Sequence, residues 1–128
     1  MKSEGRIWEA KAASHDYSAA EKYLTLLFSV RKAKRLVKLL RAAPTTEYAA
    51  KDLLRASQTR LLEKDSPLVA EDLKKIRKGK KLSPVLLVRG DGKNGVTLTI
   101  ADGYHRICAS WYWDEKCTVA CCLASLID

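Results

Sequence analysis

The stretch Ile100-Ala101-Asp102-Gly103-Tyr104-His105-Arg106-Ile107-Cys108-Ala109 reads as the end of a strand, a glycine turn and the start of a helix. Val96, Leu98 and Ile100 alternate with Thr97 and Thr99 just upstream, the period-two signature of a half-covered strand. A helix over Gly103–Asp114 follows at once. The first N–H groups of a helix lack internal partners, and the helix dipole adds partial positive charge at the same end. His105 and Arg106 add side-chain donors there. Together these features make an anion site of the phosphate-binding kind. A plainer reading stands beside it, in which His105 and Arg106 pair with Asp102 and cap the helix.

The surrounding chain completes a small fold around this element. Pro84–Val88 is an unbroken apolar run, as expected of a central strand, and Gly90–Gly95 is a glycine-rich turn. Thr118–Ile127 predicts a last apolar strand. Upstream, Ser66-Pro67 opens a helix whose buried stripe is Val69, Leu73 and Ile76, and Gly79 stops it. Thr45–Ala50 predicts a short strand, Lys51–Ala56 a short helix and Gln58–Asp65 a loop. Nearer the start, Ser18 and Glu21 form a capping box for a helix with Tyr23, Leu24, Leu27 and Phe28 on one face. Ser29 caps a second helix with Ala33, Leu36, Val37 and Leu40 buried, ended by Pro44. Residues 1–15 carry little pattern. Helices segregated from a small sheet predict an α+β fold: a small mixed β-sheet with flanking helices and a helical N-terminal extension.

Composition sets the function classes. A chain of 128 residues is one domain's worth, and 47% apolar residues suffice for a core. No apolar run approaches the length of a membrane span. Met1–Lys11 lacks the apolar core of a signal peptide, so the expected setting is cytoplasmic. Twenty-four Lys and Arg against 15 Asp and Glu give a net charge of +9, which favours anionic partners. Cys108, Cys117, Cys121 and Cys122 read as reduced thiols rather than a disulfide scaffold. His105-x2-Cys108 with Cys117-x3-Cys121 is a loose zinc spacing, set against a reading of buried cysteines in a helix and a strand. Redox chemistry at Cys108 or Cys121 would need a thiol of lowered pKa.

Asp102-Gly103-Tyr104-His105-Arg106 followed by Ala109 resembles the G-x-H-R-x-x-A signature of the ParB/sulfiredoxin-like superfamily. Ile76–Val85 is similar to its helix–Gly–x–Pro–strand element. The resemblance spans residues 45–127 and divides the chain into a helical extension, 1–44, and a ParB/sulfiredoxin-like domain, 45–128. It implies a nucleotide, ATP or CTP, whose phosphates rest on the motif. Gly103, Tyr104, His105 and Arg106 would then be the contacts, Arg106 the main charge and His105 a proton-transfer group. Arg55, Ser57, Lys80, Lys81 and Ser83 would complete the pocket. Asp102 would hold Mg2+ and, with His105, serve phosphoryl transfer or NTP hydrolysis. Tyr104 stands where sulfiredoxins carry their catalytic cysteine. The nearest counterpart of the glutamate used by a kinase branch is Glu47. Nuclease chemistry usually needs two or more carboxylates in one site; the sequence places only Asp102 near the motif, and Glu71 and Asp72 sit on a neighbouring helix among basic residues, so the nuclease reading gains little support.

The alternative function is a non-catalytic module for DNA, RNA or a partner protein. Arg31, Lys34, Arg35 and Lys38 would form its contact face, on the helix that also carries Lys32 and Arg41. The run Lys74, Lys75, Arg77, Lys78, Lys80 and Lys81 reads either as a solvated face or as a second anion-binding segment.

Overall fold

A computed structural model describes residues 6–126. In chain order these form α1 (Ser14–Leu24), α2 (Val30–Ala42), β1 (Thr46–Ala49), α3 (Ala50–Ser57), α4 (Pro67–Arg77), β2 (Val85–Val88), β3 (Thr99–Asp102), α5 (Tyr104–Trp113) and β4 (Thr118–Ala124). The fold is α+β. The strands make one mixed sheet in the order β1-β4-β2-β3. β1 runs antiparallel to β4, β2 parallel to β4, and β3 antiparallel to β2.

The all-apolar run Val85–Val88 is central because both of its faces are covered. Alternate strand residues point to opposite faces. Val85 and Leu87 join Val119 and Cys121 in a core under α3, α4 and α5. Leu86 and Val88 join Cys122 and Ala124 in a second core under α1 and α2. The parallel register sets Val85 beside Cys121 and Leu86 beside Cys122, so each core is continuous across the two middle strands. The α2 stripe of Ala33, Leu36, Val37 and Leu40 is buried as its spacing predicts. Full burial contributes about 1.5–3 kcal/mol for each leucine. Ser29 Oγ accepts the Lys32 N–H at 3.2 Å and starts this helix, and extended Ala43 before Pro44 ends it.

Three local expectations are corrected. Ser18 and Glu21 lie inside α1, which begins at Ser14, so the capping box does not form. The buried stripe of α1 is Asp16, Ala20 and Leu24, while Tyr23 and Leu27 are exposed. The alternating segment Val96–Ile100 becomes strand only from Thr99. Val96 instead bridges back to Asp91, and the Leu98 N–H donates to the Ala56 carbonyl at the end of α3.

Residues 6–13, which lead into α1, are held against the domain. Trp8 is buried in the α3–α5 core, its Nε1 donates to the Thr118 carbonyl at 3.1 Å, and its backbone bridges Leu82. This docking brings residues 9–16 alongside the motif. No helix among the described residues is long and apolar enough to cross a membrane.

Candidate functional site

β3 ends at Asp102, Gly103 turns the chain, and α5 starts at Tyr104. The first bond inside the helix is Ile107 N–H to the Gly103 carbonyl, 3.0 Å, and no side chain caps this end. Gly103 sits at φ 111°, and a Cβ there would stand 1.9 Å from Val85 Cγ1. Glycine therefore lets the helix start press directly onto the central strand. In front of it lies a cleft of 530 Å³ between α5, α4 and the segment leading into α1.

Arg106 is the hub of the cleft, and it is turned inward. Its Nη1 donates to Asp16 Oδ2 at 2.9 Å and to the Ser83 carbonyl at 2.7 Å, and its Nη2 donates to Asp102 Oδ2 at 2.5 Å. The Arg106 side chain is 13% exposed and that of Asp16 is 9% exposed. A planar guanidinium with several donors can bridge two carboxylates and a carbonyl at once; an ammonium cannot do so in this geometry. Ser83 serves twice, because its Oγ also accepts the Ala13 N–H at 2.9 Å. Asp16 Oδ1 faces His15 Nε2 at 3.2 Å, and the His15 side chain is itself exposed. The capping reading of Arg106 thus describes its actual partners, with Asp16 added from a distant part of the chain.

Two carboxylates of the cleft, Asp102 and Asp72, are tuned by burial. Burial pushes the Asp102 carboxyl up, Arg106 opposes the shift, and the neighbouring Asp16 adds to it. Asp72 of α4 is also pushed up by burial, against the pull of Lys75, whose Nζ is 3.9 Å away, and of Arg106. A raised pKa means that folding takes up a proton. The stability gained is fully present below the ordinary aspartate value of 3.8 and is lost as pH rises through the folded value. Asp72→Asn escapes this loss. Its urea midpoint relative to wild type is expected to be more favourable at pH 7 than at pH 4, and an equal or reversed difference would show that burial does not govern Asp72.

The other residues singled out in the sequence separate into groups. Gly103, His105, Arg106, Lys81, Ser83 and Asp102 line the cleft together, and Lys80 does not. Tyr104 turns away, donating its hydroxyl to the Arg60 carbonyl. Ser57 is used locally, its Oγ donating to the Leu53 carbonyl at 2.8 Å at the end of α3. It lines a different groove, one that also reaches Gly103 and His105. Arg55 pairs with Asp52 at 3.5 Å and faces a third groove. Glu47 is on β1, at the opposite edge of the sheet from β3, engaged by Arg6 and Thr118. Arg31, Lys34, Arg35 and Lys38 all stand exposed on α2, without an ion-pair partner among the described residues.

The zinc and redox readings of the cysteines fail on burial. Cys108 and Cys121 are enclosed in the α3–α5 core, whereas His105 lines the cleft. Burial pushes the Cys108 thiol up and that of Cys121 up to about 11, the opposite of an activated thiolate. Among the described residues no group of three His, Cys, Asp or Glu could hold a metal ion.

Sequence reading missed His15 and Asp16 and did not join Glu71 and Asp72 to Asp102, although all five line this cleft. One signal was available. Asp16, Ala20 and Leu24 recur at intervals of four, so an acid sits on the buried stripe of α1 and calls for a buried cation. Compared with protein families, with characterised proteins and with solved structures, the chain matches none.

Proposed function

We propose that this protein binds a nucleoside triphosphate, ATP or CTP, with the phosphates at the first turn of α5. The observation that carries this reading is the uncapped start of α5 opening into a 530 Å³ cleft that Lys11, Lys81 and His105 also line. That volume falls in the range of roughly 300–1,000 Å³ usual for small-molecule sites. The backbone N–H groups of residues 104–106 and the helix dipole supply the anion-binding end. The resemblance of Asp102–Arg106 to the ParB/sulfiredoxin-like signature supports the same assignment. Arg106 acts here as a strut: it bridges Asp16 and Asp102 and offsets part of the negative charge that would otherwise repel a phosphate. Glu71 and Asp72 offer acceptors for an exocyclic amino group, which adenine, cytosine and guanine carry and uracil lacks. Free cysteines agree with a cytosolic setting, where such nucleotides are found.

Mg2+ does not fit as a resident ion. Asp102, its expected ligand, already gives Oδ2 to Arg106, and no cluster of three ligand side chains converges among the described residues. Phosphoryl transfer or NTP hydrolysis remains the reaction class such a pose suits, since positioning and electrostatics dominate it. His105 and Asp102, which both line the cleft, are the residues we assign to it.

Thermal unfolding with ATP, CTP, GTP and UTP, with and without Mg2+, tests the reading. A ligand at 100 times its Kd stabilises by about 2.7 kcal/mol, a melting shift of roughly 10 °C for a chain of this size. ATP or CTP is expected to give that shift and UTP much less. His105→Ala and Lys81→Ala are expected to remove it. No shift with any nucleotide would leave the cleft a structural feature. A second reading, DNA or RNA binding, rests on the exposed cations of α2. Reversal of Arg31, Lys34, Arg35 and Lys38 to glutamate would abolish it and spare any nucleotide shift. Four phosphate contacts give a log–log salt slope of about −3.6 on duplex DNA.

A further inference from the structure

The groove that Arg55 faces lies at the other end of β2, between α3 and the sheet, with a volume of 410 Å³. Its floor is apolar. Leu53 and Leu87 are buried beneath it, while Leu98 and Leu123 are only half-buried, so apolar surface of the sheet is left uncovered. Two arginines line the groove around this apolar floor, together with Asp52 and Tyr48. Arg89 follows the last residue of β2, and its N–H donates to the Ala124 carbonyl at 2.8 Å, which fixes it where the parallel strands β2 and β4 end. It has no ion-pair partner among the described residues. Arg55 has only Asp52, at 3.5 Å, with both side chains well exposed. A pair of that kind is worth little and is readily exchanged for a better acceptor.

We propose that this groove binds a small amphipathic organic anion, its ring or short acyl body on the four leucines and its carboxylate or sulfonate on Arg55 and Arg89. Apolar floor and cationic rim must act together. The leucines alone would take any apolar molecule, and exposed arginines alone would take any anion weakly. Guanidinium bonds to a carboxylate are charge-assisted and directional, which selects the anion over a neutral molecule of the same shape. Nothing in this site depends on the nucleotide cleft, which lies at the start of β2 around Ser83.

The test uses the full chain and two fluorescent probes of similar ring size. One is the anion 1-anilinonaphthalene-8-sulfonate and the other the neutral N-phenyl-1-naphthylamine. The anion is expected to bind with one-to-one stoichiometry at least tenfold more tightly than the neutral probe. Arg55→Gln with Arg89→Gln is expected to weaken the anion at least tenfold and leave the neutral probe within twofold. Ala56→Trp, which fills the groove from an exposed position, is expected to block both probes. All three substitutions are at exposed positions, so melting temperatures should stay close to wild type and separate loss of binding from loss of fold. Equal binding of the two probes, anion binding that ignores both arginines, or no anion binding by the wild type would each overturn the proposal.

Discussion

Arg106→Ala is expected to lower the melting temperature by roughly 10–20 °C. The guanidinium is 13% exposed and carries three hydrogen bonds, two of them to carboxylates. Its removal strands Asp16 and Asp102 together in a poorly hydrated place, beside a Ser83 carbonyl that has also lost its donor. Breaking a buried ion pair by deleting one partner costs about 3–5 kcal/mol. At roughly 3–5 °C per kcal/mol for a domain of this size, the shift follows. The cause can be separated from a simple packing loss. In the Arg106→Ala background, Asp16→Asn should raise the melting temperature, because it removes a repulsion that Arg106 no longer offsets. In the wild-type background the same change should lower it, because it weakens the Arg106 contact. Such a reversal of sign marks direct coupling. Arg106→Lys should fall between wild type and alanine, keeping the charge but not the bridging of three acceptors. A melting temperature for Arg106→Ala within 3 °C of wild type, or an Asp16→Asn effect of one sign in both backgrounds, would refute the strut. The result also governs how nucleotide experiments are read. Loss of binding in Arg106→Ala would report a collapsed cleft wall, whereas His105→Ala and Lys81→Ala leave the strut intact.

Val85–Val88 and Asp16 differ in how far along the chain their partners lie. Four consecutive apolar residues can be satisfied only by cover on both faces, so β2 is central by its own composition, and the α2 stripe and the Ser29 cap are equally local. Asp16 is different. Its partner is 90 residues away, and the pairing depends on Trp8 docking the N-terminal segment beside α5. No periodicity encodes that. The same limit explains the helix face chosen for α1. Of the expected stripe Tyr23, Leu24, Leu27 and Phe28, Leu24 is buried and Phe28 packs against the core, but Tyr23 and Leu27 are exposed and Ala20 takes their place, because α1 must also present Asp16 to Arg106. The alternation of Val96–Ile100 misleads for a related reason. Leu98 is apolar because it packs beneath the end of α3, with its N–H on the Ala56 carbonyl, and not because it belongs to a strand. In the motif, the glycine turn and bare helix start were legible. The direction in which Arg106 points was not, since an arginine at a helix N-terminus serves equally well facing out to an anion or in to two acids.

Gly103→Ala is expected to cost about 2–5 kcal/mol, for two separable reasons. The backbone at φ 111° is one that an L side chain rarely adopts, a strain of roughly 1–2 kcal/mol. The added Cβ would also meet Val85 Cγ1 at 1.9 Å and Arg106 Nη2 at 3.1 Å. Val85 is fully buried in the central strand and cannot swing aside, so relief must come from moving the start of α5, at about 1–3 kcal/mol as for other overpacked sites. Moving α5 outward stretches the Arg106 bonds to Ser83 and Asp16 and tilts the free N–H groups away from the cleft. Stability and any nucleotide shift should therefore fall together. Val85→Ala removes the atom responsible for the closest contact, and although it costs stability by itself, it should reduce the additional cost of Gly103→Ala towards the backbone part, leaving only the 3.1 Å contacts with the Cβ of residue 85 and with Arg106 Nη2. If alanine at 103 costs the same with valine or alanine at 85, the clash is not the cause and backbone strain carries the whole effect. If it costs less than about 0.5 kcal/mol in both, the helix start is free to move, and the close seating of α5 on β2 cannot be what holds the anion-facing N–H groups in place.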